Sequence, residues 1–406
     1  MKSVSGEMAV VFAVVLAGCL IAAKLWPDTE ASVEPGTSPL RVPDRSGRAI
    51  TLHDLATPHK FPPLFSDPGR QAPRELIYKT VDGQKLKLYV FDPPGHDPTE
   101  RRPAILFIHG GGWGSGVPSF FFPHARYYAS RGAVALSVQY RLSGKDGATI
   151  FDGLVDCKSA VRYIRKNAGA LGVDRDRIAA VGDSAGGHLA AALGILEGFD
   201  DPQDDLSIDP KPNAMLLYNP VLDLVSLNWT HSQPGIRTPD KGKNSKETFE
   251  RLLSYGATPE ERARLLSPIH HITAGQPPAL PVHGTEDQVV PLEQITRFAW
   301  QYEKAGNRID LSTLDGIGHA FVLVNYTAAD EVVVDAIRTG DRFLGSLGYL
   351  EGKPTLCVPG FHFAECRGKA VPAEVRAALA TPSREAMDQC GNRWSLTGAS
   401  GRTQSP

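Results

Sequence analysis

The sequence predicts an α/β domain: a mostly parallel, twisted sheet with helices on both faces and a small helical cap inserted between two late strands. Three observations carry this. Short apolar runs alternate with helical stretches from about Leu76 onward, an order that implies strand–helix–strand crossovers. The runs are continuously apolar, as at Ala104 to Ile108, which is how strands covered on both faces read. One run leads straight into Gly182-Asp183-Ser184-Ala185-Gly186, and an Ala- and Leu-rich segment follows it.

The chain begins differently. Met8 to Ala23 is a continuous small and apolar run, with Lys2 before it and Lys24 after it. Its sixteen residues are short for the ~30 Å of hydrocarbon that a spanning helix crosses, but they suit the apolar region of an export signal. Residues 1–26 are therefore expected to be an export signal or membrane anchor, leaving the protein outside the cytoplasm, either attached to the cell envelope or secreted. Leu16-Ala17-Gly18-Cys19 resembles the box of bacterial lipoproteins, in which Cys19 would be lipidated. Leu20 to Ala23 continue the apolar run past it, as an uncleaved anchor or a cut after Ala23 requires. Residues 27–75 hold nine prolines and no sustained periodicity, so they read as an extended spacer.

The domain itself is expected over residues 76–350. Strands are expected at Leu86 to Val90, Ala104 to Ile108, Ala133 to Val138, Ile178 to Val181, Ala214 to Tyr218, Ala279 to Val282 and Ile309 to Leu314. Helical periodicity runs from Phe151 to Asn167 and from Ala185 to Leu196. Residues 225–266 break the alternation: polar and proline-bearing at first, then helical around Lys246 to Tyr255 and Pro259 to Leu266. An insertion at that point would lie over the strand ends as a cap. Residues 351–406 form a tail with Cys357, Cys366, Cys390 and one helical piece, Pro372 to Leu379, whose proline sits at a tolerated first position.

Composition excludes some classes of function. The net charge is −2 with both signs mixed along the chain, so nucleic-acid binding has no electrostatic support. No block of like charge suggests an interaction tail. Cys157 falls on the apolar face of its helix and reads as a buried free thiol. In an oxidising compartment the four cysteines other than Cys19 allow three full pairings, and none of their spacings makes a zinc site.

Chemistry concentrates in two segments. Gly-x-Ser-x-Gly at Gly182 to Gly186 needs its glycines because a strand-to-helix turn this tight has no room for a Cβ. Such a turn lifts the Ser184 hydroxyl to a helix N-terminus, where partial positive charge favours a developing oxyanion. Upstream, His109-Gly110-Gly111-Gly112-Trp113 also follows an apolar strand. Its bare backbone lets the amides of Gly111 and Gly112 form one half of an oxyanion hole, with the amide of Ala185 as the other. Trp113 and Tyr140 read equally as acyl-pocket walls or as packing. Asp183 reads as an organiser of nearby backbone amides.

Together these segments resemble the hormone-sensitive-lipase-like branch of the α/β-hydrolases and its bacterial acetyl-esterase and carboxylesterase relatives, which carry His-Gly-Gly-Gly ahead of Gly-Asp-Ser-Ala-Gly-Gly. Further matches are Tyr140-Arg141-Leu142, Ser267-Pro268-Ile269 and His283-Gly284-Thr285-Glu286-Asp287 followed by Val290-Pro291. The resemblance spans Leu76 to Leu347. It implies an α/β-hydrolase fold and a serine esterase acting on short acyl, including acetyl, esters without metal or organic cofactor. Its residue order places the acid at Asp287, with neighbouring Glu286 as the rival, and the histidine at His319. Of the twelve histidines, His109, His188, His270, His271 and His283 are read as structural.

Two other readings stand beside the esterase. An amidase or peptidase keeps the same triad and changes the bond. A non-catalytic envelope binding module keeps the fold without the chemistry, although all three triad positions are filled here. The expected partner is a small ester, with a membrane only through the N-terminal segment, and oligomeric state is not legible in the sequence.

Overall fold

The computed structural model describes residues 42–43, 49–50, 72–146, 148–227, 258–324 and 326–356. The N-terminal segment with Cys19, most of the expected spacer, residues 228–257 of the expected cap and the cysteine-bearing tail from 357 onward lie outside the described residues. Within the spacer, Val42–Pro43 pairs antiparallel with Ala49–Ile50.

Eight strands form the sheet: β1 Arg74–Val81, β2 Gln84–Phe91, β3 Arg102–Ile108, β4 Val134–Val138, β5 Val173–Asp183, β6 Ala214–Tyr218, β7 Ala279–Gly284 and β8 Ser312–Leu314. Their spatial order is β8-β7-β6-β5-β3-β4-β2-β1. All neighbours from β4 through to β8 are parallel, whereas β2 runs antiparallel to both β1 and β4. The expected mostly parallel sheet is thus present, with an antiparallel edge at its N-terminal side.

Two corrections concern its edges. Arg74–Val81 has no counterpart among the expected strands, because most of its side chains are exposed or half-buried and leave no apolar signature. The expected strand from Ile309 to Leu314 is regular only over its last three residues, and Ile309 makes just an isolated bridge to Ala279. This strand has one neighbour and half-buried side chains, so a short pairing suffices there.

Helices cover both faces. They are α1 Phe122–Ser130, α2 Ile150–Lys166, the single turn α3 Ala168–Leu171, α4 Ser184–Ile195, α5 Pro259–Leu266, α6 Leu292–Lys304 and α7 Asp330–Ser346. Alternation along the strands divides the core in two. Ala104, Leu106 and Ile108 of β3 face one cluster with Leu154, Val161, Leu189 and Phe298, from α2, α4 and α6. Ile105 and Phe107 face the other, with Tyr127, Tyr128, Val334 and Ile337 from α1 and α7. Thr149 caps α2 by a reciprocal box with Asp152, and Thr258 caps α5 likewise with Glu261. Ala185 to Ile195 are buried without exception, which explains why α4 is apolar on every side except at His188. Cys157 on α2 is a free, fully buried thiol whose pKa burial drives well above the ordinary thiol range.

This topology sets the site. The C-terminal ends of β3, β5, β7 and β8 lead into the glycine loop, Ser184, Asp287 and His319 respectively, along one edge of the sheet.

Candidate active site

Ser184 sits at the turn from β5 into α4 with φ of 51°, a left-handed conformation rare for a residue with a Cβ. Strain of this kind costs about 1–3 kcal/mol and survives only where the surroundings enforce it. Here they do. A Cβ on Gly182 would run into the Gly186 carbonyl oxygen, and one on Gly186 would strike the Ile108 carbonyl oxygen at the end of β3. The two flanking glycines let the chain fold back on itself and against its neighbouring strand, leaving the serine half-buried at the helix start.

His319 lies in the loop after β8. Its Nε2 stands 2.8 Å from Ser184 Oγ, and its Nδ1 stands 2.7 Å from Asp287 Oδ2. His319 is 9% exposed and Asp287 is 7% exposed, so their contact is largely shielded from water. Thr327 Oγ1 donates to the His319 carbonyl at 2.9 Å. The His124 ring donates through Nε2 to Val322 O at 3.0 Å, holding the same loop from α1.

Asp287 is fixed on both oxygens. While Oδ2 meets His319, Oδ1 accepts the amides of Val289 at 2.8 Å and Val290 at 2.9 Å. Burial alone would raise its pKa, but His319 and the amide donors outweigh it and hold the carboxyl below its ordinary range. Glu286 is exposed, and its amide bonds to Ile317 O at 3.0 Å. Of the two acids left open by the residue types, the structure therefore brings Asp287 to the histidine. His283 lies fully buried beneath this turn, with Nε2 donating to Val290 O at 2.9 Å.

The glycine loop is held at several points. Asp183 Oδ1 accepts the Gly110 amide at 2.7 Å, the Ser115 amide and hydroxyl both donate to the Gly111 carbonyl, and the Ser143 amide donates to the Trp113 carbonyl at 2.8 Å. Gly111 has φ of +118°, and a Cβ there would collide with the Ser115 carbonyl. Among the described residues, neither the Gly111 nor the Gly112 amide donates to a protein acceptor. Both glycines line a pocket with about 300 Å³ of open space, shared with Ser184, His319, Phe120, Ala320, Leu323 and Tyr326. Two unspent amides beside a nucleophile are what a developing oxyanion needs. Ala185, at the first turn of α4, is buried directly after Ser184.

Asp183 is buried in the wall of this pocket, and burial raises its pKa to about 6 against the opposing Gly110 hydrogen bond. Trp113 and Tyr140 are not among the pocket-lining residues. Trp113 is 7% exposed and donates its indole N–H to His188 Nδ1 at 3.1 Å. Tyr140 donates to His109 O at 2.8 Å and stacks its ring on the His109 imidazole at 4.5 Å. The apolar walls are instead Phe120, from the 3-10 turn Pro118–Phe121, and Leu323 and Tyr326, from the segment after His319. The remaining structural histidines behave as ordinary buried or anchoring groups: His188 Nε2 donates to Leu266 O at 2.7 Å, His271 bonds Arg264 O, and His270 approaches Asp223 at 3.5 Å. Among the described residues no cluster of three His, Cys, Asp or Glu is arranged to hold a metal.

The chain is similar to known hydrolases. A family model described as BD-FAE matches residues 89–302. Esterase LipC of Mycobacterium tuberculosis is 29% identical over 310 residues, covering 72% of this chain and 74% of that protein. Ethyl acetate hydrolase of Pseudomonas putida is 29% identical over 276 residues, covering 65% of this chain and 81% of that protein. Among solved structures, Thermogutta terrifontis esterase 2 phosphoramylated by tabun aligns with a TM-score of 0.60 at 36% identity, covering 71% of this chain and 99% of that one. The same esterase with propionate bound aligns at 38% identity and with butyrate bound at 37%, both with a TM-score of 0.60 and the same coverage.

Proposed function

The chain belongs to the BD-FAE family of α/β-hydrolase esterases, and from that premise we propose that it cleaves short-chain acyl esters through an acyl-enzyme formed on Ser184. It is a carboxylic ester hydrolase. The observation that carries the finer reading is the continuous Ser184–His319–Asp287 chain, at 2.8 and 2.7 Å, opening on two unspent amides.

The steps follow from the geometry. His319 Nε2 takes the Ser184 proton as Oγ attacks the ester carbonyl carbon. Asp287 keeps the other ring hydrogen on Nδ1 and stabilises the imidazolium that results. The oxyanion is received by the amides of Gly111, Gly112 and Ala185. Collapse of the tetrahedral adduct breaks the C–O bond to the alcohol, which leaves with the proton from His319. A water then gives a proton to His319, attacks the acyl carbonyl and releases the acid, returning the proton to Ser184.

Support for short acyl groups comes from the walls. Phe120 and Leu323 stand in the same small pocket as the nucleophile, and an esterase of similar structure holds propionate and butyrate. Acetyl groups on carbohydrate fall within that class. A panel of p-nitrophenyl esters of rising chain length, with acetylated sugars and peptide anilides, tests this. Highest kcat/KM at two to four acyl carbons is expected, and hydrolysis of anilides alone would move the reading to an amidase.

We further propose that the enzyme works outside the cytoplasm, tethered or released through residues 1–26. The support is the apolar run with flanking lysines and the cysteine at position 19. Cell fractionation of the full chain and of Cys19→Ala tests it. Recovery of both in the cytoplasm would remove the proposal.

A further inference from the structure

One buried path runs from the glycine loop to the far end of the cap segment and passes behind the nucleophile. It begins at Trp113, the residue after Gly112, whose φ of 59° is unusual for so bulky a side chain. Its indole N–H donates to His188 Nδ1 at 3.1 Å, and the two rings meet edge to face with centroids 5.4 Å apart. His188 lies four positions after Ser184, one turn along the nucleophile helix, and is fully buried. Its Nε2 stands 2.7 Å from the carbonyl oxygen of Leu266, the last residue of α5.

The two partners leave the imidazole a single state. An indole can only donate, so Nδ1 must be the acceptor; a carbonyl can only accept, so Nε2 must carry the hydrogen. A second proton on Nδ1 would oppose the Trp113 N–H. Burial agrees, holding the His188 pKa at about 4. The ring is then a rigid spacer whose three attachments are the glycine loop, the nucleophile helix and the end of α5.

We propose that His188 is a positioning residue for the oxyanion hole: by receiving the Trp113 indole N–H and donating to Leu266, it locks the strained Gly111–Trp113 turn at a fixed distance from Ser184. This inference rests on the acyl-enzyme reading of the site. The loop needs such a lock because its own backbone is left-handed at three successive residues, Gly111, Gly112 and Trp113. Asp183 and Ser115 secure the start of the turn, whereas His188 secures its end by a side-chain bond. Loosening the end moves the amides relative to the oxyanion and leaves Ser184, His319 and Asp287 untouched.

Three variants test this: Trp113→Phe removes the indole N–H, His188→Leu removes both ring bonds, and His188→Gln offers an oxygen to Trp113 and an N–H to Leu266. Steady-state kinetics on p-nitrophenyl acetate would be measured beside thermal melting, with fluorophosphonate titration giving the concentration of competent enzyme. Loss of one oxyanion donor costs about 10²–10³ in kcat; displacement of the loop should cost about 10- to 100-fold per competent enzyme, with KM within about 3-fold. Trp113→Phe and His188→Leu should each show that loss, their double variant no more than either, and His188→Gln should recover most of it. A merely structural role predicts lower melting temperature with normal kcat per titrated site, and that result would overturn the proposal. Ser184→Ala, run alongside, separates the two levels. Full activity there removes the acyl-enzyme reading itself, whereas an inactive Ser184→Ala with fully active Trp113→Phe and His188→Leu removes only the role of His188.

Discussion

Asp287 meets His319 through Oδ2 at 2.7 Å while its Oδ1 is occupied by two backbone amides, so the acid can reach the ring in only one orientation. Glu286, one residue earlier, points to solvent. Asp287→Asn should therefore lower kcat by about 10⁴-fold at neutral pH, because an amide stabilises the wrong imidazole tautomer. Glu286→Gln should stay within about 2-fold of the parent enzyme. Equal effects from the two substitutions on a p-nitrophenyl ester would contradict this assignment.

The acid limb of the stability profile should be set by buried histidines. Burial lowers His109, His124 and His188 from 6.5 to about 4, so each takes up a proton when the chain unfolds between those values. Their contribution is complete above pH 6.5 and is lost as pH falls toward 4. Asp183 acts oppositely: raised from 3.8 to about 6, it releases a proton on unfolding in that range, and its contribution is lost as pH rises. Three protons gained at these histidines, with His283 shifted the same way by burial, and one lost at Asp183 leave at least about two taken up near pH 5, or about 3 kcal/mol per pH unit. Melting temperature should fall steadily from pH 6.5 to 4.5, and His188→Gln should flatten that slope by about one proton. A flat profile over this interval would rule out the neutral buried histidines.

Asp183→Asn isolates the opposing group. An amide oxygen still accepts the Gly110 N–H, while the buried charge is gone. The variant should melt higher than the parent at pH 8 and match it at pH 4, since the parent carboxyl is protonated there. Lower stability at pH 8 would mean that the ionised form is favoured in the fold.

Much of this site was legible in the residues, and the reason is local. The turn at Ser184 requires glycines two positions to either side, and β3 from Pro103, β5 from Ile178 to Val181 and the whole of β6 are buried on both faces, so they appear as apolar runs. His319 follows a strand with no rival histidine in its loop. What escaped depends on partners distant in sequence. His188 reads as a packing residue until Trp113, 75 positions earlier, and Leu266, 78 positions later, are brought to it. Phe120 and Leu323 become pocket walls only after the fold brings the 3-10 turn Pro118–Phe121 and the segment after His319 together. The exposed strand β1 and the amphipathic helix α7 lacked the continuous apolar pattern that marked the centre of the sheet.

The stretch from Leu222 to Ser226, which leads into the expected cap, is held in part by one amide side chain. Gln294 on α6 is 2% exposed; it accepts the Leu222 and Asp223 amides and donates to Asp223 O and Ser226 Oγ. Gln294→Leu strands two buried amides and should destabilise the fold by about 2–5 kcal/mol in urea. A loss below about 0.5 kcal/mol would show that water or another group satisfies them.

The central claim is that Ser184 is the nucleophile of an acyl-enzyme. Its most direct measurement is fluorophosphonate labelling with peptide mass mapping, combined with ester hydrolysis by Ser184→Ala. The adduct should map to the peptide holding Ser184, and the variant should be unlabelled and slower by about five to six orders of magnitude. Label on another residue, or ester hydrolysis by Ser184→Ala at the parent rate, would contradict the account.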